Sequence, residues 1–362
     1  MRSSKPNIMI DPQKNHEPTM EMKNNSQTLS VGIIGTGGMG TRHALNLHRA
    51  VGGARVAAVY DLDQDRAWKV AGMCGQALVC DDPERLINDS HVDAIVIASP
   101  DDTHANLTLA CLQAGKPVLC EKPLATTVED AVRVLEAEVA LGRRLVCVGY
   151  MRRFDPQHVA VKTTVMEGSL GRPLLFKGVH RNAVVAYGIT GETILINSAG
   201  HDFDSTRWLL DGEVSEVFVR GLRSRADLHP DTRDLLLIEM ALANDALATL
   251  EVYVNADYGY EVSAEVVCQR GSAITTLADD ILVRSEAQRA HPVPKDWLVR
   301  FQNAYSLEIV DWVESIQKGR PFRGANTWDG YMTMLITGAC IESFRSCAVT
   351  SLKVPDKPTL YQ

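Results

Sequence analysis

Leu29-Ser30-Val31-Gly32-Ile33-Ile34-Gly35-Thr36-Gly37-Gly38-Met39-Gly40 is the stretch that decides the fold of this chain. The apolar run from Leu29 reads as a buried strand, and Gly35, Gly37 and Gly40 follow it in the order G-x-G-x-x-G. Residues 41–50 then read as a helix, and a second apolar run, 55–60, ends in Asp61. Gly35 lets the chain turn tightly off the strand, Gly37 leaves room for a phosphate beside the backbone, and Gly40 lets the helix pack closely on the sheet. Free N–H groups at the helix start face the phosphates. Asp61 stands 21 residues after Gly40, where a carboxylate accepts from a ribose and repels an added phosphate, so the pattern predicts NAD over NADP. Gly35, Thr36, Gly37, Gly38, Met39, Gly40 and Asp61 are the expected cofactor-binding residues of this turn.

Outward from this unit, helices over 42–50, 63–72, 103–114 and 127–141, with another starting at Asp82-Pro83, alternate with strands over 77–80, 93–98, 116–120 and 144–149. That alternation predicts a mostly parallel sheet covered on both faces, with ligands beyond the carboxyl ends of its strands. Two further loops lie there: 99–104, which adds Ser99, Pro100 and His104 to the cofactor set, and Glu121-Lys122-Pro123. Glu121 and Lys122 join that set. The Lys122 ammonium is also placed to hold a substrate oxygen beside the nicotinamide; a surface lysine in a turn is the plain alternative.

After residue 149 the pattern changes. A helix over 154–167 is followed by strand-like runs at 174–182, 214–221, 234–240, 247–256, 261–268 and 273–276, separated largely by turns, which predicts a predominantly antiparallel sheet. A helix over 199–210 interrupts them. Asn197, His201 and Asp204 precede or occupy it at offsets that put them on one side, a catalytic edge or else a cap and a core histidine. Two helices, 301–318 and 326–347, brace the sheet or return to the first domain. The fold class is therefore α/β: a mobile or subunit-bridging extension over 1–28, a Rossmann dinucleotide-binding domain over 29–149, an α+β domain with a large open sheet over 150–350, and an irregular tail over 351–362.

The chain has 362 residues, 45% of them hydrophobic, enough for two sizeable cores. Its net charge of -8 carries no nucleic-acid footprint. Eight cysteines without a C-x-x-C pair read as scattered thiols in a reduced compartment, with no metal site. With no secretory leader and no membrane span read from the sequence, a cytoplasmic protein acting on a small molecule is expected.

Together these features resemble the Gfo/Idh/MocA oxidoreductase family, and within it the inositol 2-dehydrogenases, over roughly residues 29–348. The motifs are the glycine turn, Glu121-Lys122-Pro123 and those that follow; Glu121-Lys122-Pro123 alone marks the broad family. Gly149-Tyr150-Met151-Arg152-Arg153-Phe154-Asp155, His180-Arg181-Asn182, 196–210, Tyr253-Val254-Asn255, Tyr258-Gly259-Tyr260, Asp296-Trp297 and Trp328-Asp329-Gly330-Tyr331 are more specific to the inositol type. The resemblance implies that Lys122 is the catalytic lysine and His201 the catalytic histidine. It implies that Arg152, His180, Tyr258, Tyr260 and Trp297 line or approach a polyol pocket, with Asp204 as a further acidic position. It also implies NAD-dependent oxidation of a secondary alcohol on a cyclic polyol such as myo-inositol, or on a pyranose, in dimers that pair into tetramers. The sequence departs from the family at Asn197, where an aspartate is usual; an amide orients a hydroxyl but takes no proton. Two other readings stay open on sequence: an NAD-linked epimerase or glycoside-cleaving enzyme working through a transient ketone, and a non-catalytic NAD or sugar sensor.

Overall fold

The computed structural model describes residues 28–186, 188–276, 283–285 and 288–362; the expected N-terminal extension thus lies almost wholly outside the described residues. The first unit runs β1 (Leu29–Ile34), α1 (Gly38–Ala50), β2 (Ala54–Tyr60), α2 (Gln64–Met73), β3 (Leu78–Val79), α3 (Pro83–Asn88), β4 (Ala94–Ile97), α4 (His104–Gln113), β5 (Val118–Glu121), α5 (Val128–Leu141) and β6 (Val146–Gly149). The six strands are parallel in the order β6-β5-β4-β1-β2-β3. Every residue of β1, β4, β5 and β6 is buried, as helices on both faces require. Helices α2, α3 and α5 begin where side chains satisfy free N–H groups: Asp63 accepts from Arg66, Asp82 from Arg85 and Thr127 from Asp130. Helix α1 starts at Gly38, inside the glycine turn and three or four residues before the sequence reading placed it.

The second unit continues with α6 (Pro156–Met166), β7 (Pro173–Arg181), α7 (Gly191–Asn197), α8 (Gly200–Leu210), β8 (Val214–Leu222), β9 (Leu235–Leu242), β10 (Leu247–Tyr253), β11 (Glu261–Cys268) and β12 (Gly271–Ile274). A short ribbon, β13 (Val283–Ser285) with β14 (Gln288–Ala290), precedes α9 (Trp297–Arg300), α10 (Gln302–Lys318), β15 (Ala325–Asn326), α11 (Thr327–Ser346) and β16 (Thr350–Ser351). The second sheet has the order β12-β11-β7-β10-β9-β8-β16. It is mixed: β7 and β10 are parallel, because α7, α8 and two strands intervene between them, and the other pairs are antiparallel. The strict alternation of buried and less buried residues along β11 shows one face packed and one open. Phe203, Leu209 and Leu210 of α8 and Ile336 and Cys340 of α11 cover the packed face. Helix α7 had no counterpart in the sequence reading; a reciprocal cap between Thr190 and Thr193 starts it.

The C-terminal helices divide between the two units. Ile309, Trp312 and Val313 of α10 enter the core formed by Val31, Ile33, Leu47 and Val59. Strand β15 then pairs antiparallel with β6 and extends the first sheet. Helix α11 packs on α5, α8 and β8, so it spans both units. This return holds the second unit against the carboxyl ends of β5 and β6. Trp312 is 1% exposed in that seam. Trp312→Ala is expected to lower stability by about 3–5 kcal/mol through the cavity it leaves, read as a fall in the urea midpoint; a midpoint equal to that of the parent would show that α10 contributes little there.

Candidate active site

The glycine turn is built by close approach. A Cβ on Gly35, whose φ is +88°, would lie 2.4 Å from the Ala98 carbonyl oxygen, and one on Gly40 would lie 1.8 Å from that of Gly35. An added Cβ on Gly37 or Gly38 would meet nothing within 4 Å, so the start of α1 opens onto free space, and no side chain caps it. At the end of β2, Asp61 Oδ2 accepts from the Thr36 N–H at 2.7 Å and the Thr36 hydroxyl at 2.9 Å, while Oδ1 accepts from the Asp63 N–H at 2.9 Å. Burial alone would raise the Asp61 pKa, but these bonds and Arg66 hold it below the usual carboxylate range. A cleft of about 700 Å³ is lined by Gly35, Gly37, Asp61, Ser99 and Pro100, among others. Open space at Gly37, free N–H groups and an ionised Asp61 fit a dinucleotide: phosphates at the helix start and a ribose at Asp61.

Three of the residues expected at the cofactor are spent elsewhere. Met39 packs on the Met151, Tyr260 and Phe301 cluster. His104 is buried with Nδ1 2.6 Å from the Pro123 carbonyl and Nε2 3.0 Å from that of Ser99. Both partners only accept, so both nitrogens donate and the ring is an imidazolium pinning two loops together. Burial opposes that charge, but Cys120 and the two carbonyls outweigh it and hold the pKa up at about 10. Glu121 turns inward, its Oε1 2.6 Å from Nε2 of His43.

Beside these loops the candidate catalytic residues meet, Lys122 from the end of β5 in the first unit and Asn197 and His201 from α7 and α8 in the second. Lys122 Nζ donates to the backbone carbonyl of Asn197 at 3.2 Å. Asn197 ends α7, and its own amide nitrogen donates back to the Thr193 carbonyl at 2.9 Å. His201 is the second residue of α8; Ser198 and Ala199 separate the two helices, so the expected continuous row through 197, 201 and 204 does not form. The His201 ring stands edge-on to Tyr150 at 5.6 Å, and its Nδ1 is enclosed without a partner among the described residues. Burial drives the His201 pKa well below the ordinary histidine value; Arg152, Lys122 and His180 push the same way, and only Asp202 opposes them. The imidazole is therefore neutral at pH 7.

Behind it lies an enclosed group. Asp202 Oδ1 accepts from Arg152 Nη1 at 2.5 Å, and Oδ2 accepts from His180 Nδ1 at 2.7 Å. With Nδ1 protonated, His180 Nε2 accepts from the Asn182 amide at 3.3 Å. Tyr260 packs edge-on to His180 at 5.8 Å. Burial works against the Asp202 charge, but Arg152 and His180 outweigh it and hold the carboxyl far below its usual range.

The structure brings Lys122, Asn197, Arg152, His180, Tyr260 and His201 together. It does not bring Asp204 or Tyr258 to them. Asp204 faces away into a buried ion network, accepting from Arg153 at 3.0 and 2.6 Å, because an enclosed carboxylate needs a cation. The Tyr258 side chain is 51% exposed and bonds Glu261 and Arg181 on the sheet. Trp297 starts α9 and packs on Tyr305, ring centres 5.8 Å apart. Asp202 joins the site through partners 50 and 22 positions away in the sequence, so no local spacing marks this role. Asp61→Ser is expected to raise the NADP-to-NAD ratio of kcat/KM at least about tenfold, because it removes the charge that repels the extra phosphate; an unchanged ratio would show that Asp61 does not set the preference.

Known proteins carry the same architecture. Residues 29–150 match an oxidoreductase family's NAD-binding Rossmann fold, and residues 162–352 match that family's C-terminal alpha/beta domain. The chain is 46% identical over 341 residues to inositol 2-dehydrogenase of Rubrobacter xylanophilus, covering 94% of this chain and 98% of that one. It is 42% identical to inositol 2-dehydrogenase 1 of Saccharopolyspora erythraea, over 92% and 99% of the two chains. The crystal structure of myo-inositol dehydrogenase from Lactobacillus casei, solved with NAD(H) and myo-inositol, matches with a TM-score of 0.88 and 31% identity, over 92% of this chain and 100% of that one. With both halves matched in order and the nucleotide turn intact, this chain belongs to the Gfo/Idh/MocA oxidoreductase family, with NAD as its cofactor.

Proposed function

We propose that this protein oxidises a secondary alcohol on a cyclic polyol of the inositol class. The observation that carries the reading is the enclosed His201 imidazole in the same cluster as the Lys122 ammonium at the carboxyl end of β5, where burial and the neighbouring cations keep it neutral. Bound NAD supplies the hydride acceptor. His201 accepts the hydroxyl proton at Nε2, which a protonated ring could not do. Lys122 spends one of its three protons on the Asn197 carbonyl and turns another toward the substrate oxygen, where it stabilises developing negative charge. Arg152 acts from behind, since its guanidinium is 2% exposed and holds Asp202 and His180 in place. Tyr260 and Trp297 form the apolar wall nearby.

The Asn197 amide leaves the proton to His201. A carboxylate there would favour the imidazolium; its absence keeps the ring neutral. The names of the similar enzymes support an inositol, and Asn197 is the position at which this chain's choice of ring isomer or pyranose is set. The same reading includes a cytoplasmic enzyme; no helix among the described residues is long and apolar enough to cross a membrane. It also includes a tetramer built on the open sheet face, where Leu237 and Leu247 are 38% and 55% exposed.

Lys122→Ala and His201→Ala are each expected to lower kcat by at least about 100-fold with myo-inositol or scyllo-inositol, followed as NADH absorbance. Near-parental turnover in both variants would reject these roles, and no turnover by the parent on a panel of inositols and aldoses would reject the substrate class. Asn197→Asp should change the ranking of that panel. Light scattering on the purified protein should give four chains per particle; a monomer would sink the sheet-face assembly.

A further inference from the structure

Glu121 ends β5, one residue before Lys122, and touches three parts of the first unit. Its Oε1 lies 2.6 Å from Nε2 of His43, a fully buried residue of α1. Its Oε2 accepts the backbone N–H of Lys122 at 3.3 Å. The same Oε2 lies so close to Gly149 that a Cβ there would come within 2.8 Å of it. A carboxylate only accepts, so His43 donates at Nε2; its Nδ1 is enclosed and without a partner among the described residues.

Glu308 of α10 is fully buried, and neither carboxyl oxygen has a partner among the described residues. Burial raises its pKa well above the usual value, and Glu121 and Asp204 add to the rise, so Glu308 keeps its proton. Tyr305, three residues before Glu308, stands edge-on to His43 at 6.2 Å. These groups lie behind the lysine loop. Helix α1, which carries His43, begins at the open space that suits the cofactor's phosphates.

We propose that His43 is a positioning residue: through Glu121 it ties the Lys122 loop to the helix that receives the cofactor, so that phosphate binding and lysine placement share one rigid frame. The proposal rests on the reading of Lys122 as the group at the reacting oxygen. Misplacing such a group by about 1 Å costs on the order of 100-fold in rate.

The test compares His43→Leu, which removes the donor, with His43→Gln, which keeps an N–H within reach of Glu121. Each is read by steady-state kinetics, by calorimetric NAD affinity, and by amide exchange of the 118–124 peptide with NAD bound. For His43→Leu, kcat should fall about 10–100-fold, NAD affinity should move less than about threefold, and exchange in 118–124 should speed up at least about tenfold. His43→Gln should recover kcat to within about fivefold of the parent. Parental kcat and exchange in His43→Leu would overturn the proposal. So would equal losses in both variants accompanied by equal falls in melting temperature, which would mark a packing role. If His43→Leu does not fold, Glu121→Gln carries the test, with the same rate loss and exchange signature expected and parental behaviour overturning it. If the parent turns over no polyol, the substrate reading fails, while the exchange arm still decides whether the tie exists.

Discussion

The Asp202 carboxylate, enclosed between Arg152 and His180, is the interaction on which the site depends. All three residues are at most 4% exposed. Moving such charges out of water costs several kcal/mol for each ion, which is recovered only when the partners and hydrogen bonds are complete. Here they come from three separate parts of the chain: Arg152 from the turn after β6, His180 from β7 and Asp202 from α8. Removing the aspartate would leave a buried guanidinium without its anion. The group therefore sets the relation of α8 to both sheets, and with it the place of His201.

The same cluster sets the charge state of His201. Two cations, Arg152 and Lys122, lie near His201, and burial adds to their effect; the Asp202 carboxylate opposes them but is already shared between Arg152 and His180. The imidazole stays neutral because an added proton would be a third positive charge in a desolvated space. Asn197 fits this arrangement. Its backbone carbonyl takes the Lys122 ammonium, and its side chain closes the last turn of α7, so it contributes no charge to the cluster.

Several polar residues at motif positions act as framework. His104 joins the loops at Ser99 and Pro123, Glu121 ties the lysine loop to α1, and Asp204 neutralises Arg153. Each is buried, and a buried polar group requires partners whether or not a ligand is near. The cleft thus presents few reactive groups to a ligand, and those few are held by polar contacts inside the protein.

The linear pattern was enough for the first domain. Gly35, Gly37, Gly40 and Asp61 act within one strand–turn–helix–strand unit, so their spacing determines their geometry, and the alternation of 3.6-residue and two-residue periods determines the order of elements. The expectation that Lys122 and His201 share one site came from the family's motifs rather than from spacing. What only the tertiary structure decided were contacts between distant segments: Asp202 with Arg152 and His180, His43 with Glu121, the return of α10 and β15 to the first sheet, and the break at Ser198 and Ala199 that takes Asp204 out of the expected row. Local periodicity reports which face of an element is apolar. It does not report which buried charge on one element meets which on another, because that choice is made by packing the elements together and by the cost of leaving any enclosed charge unpaired.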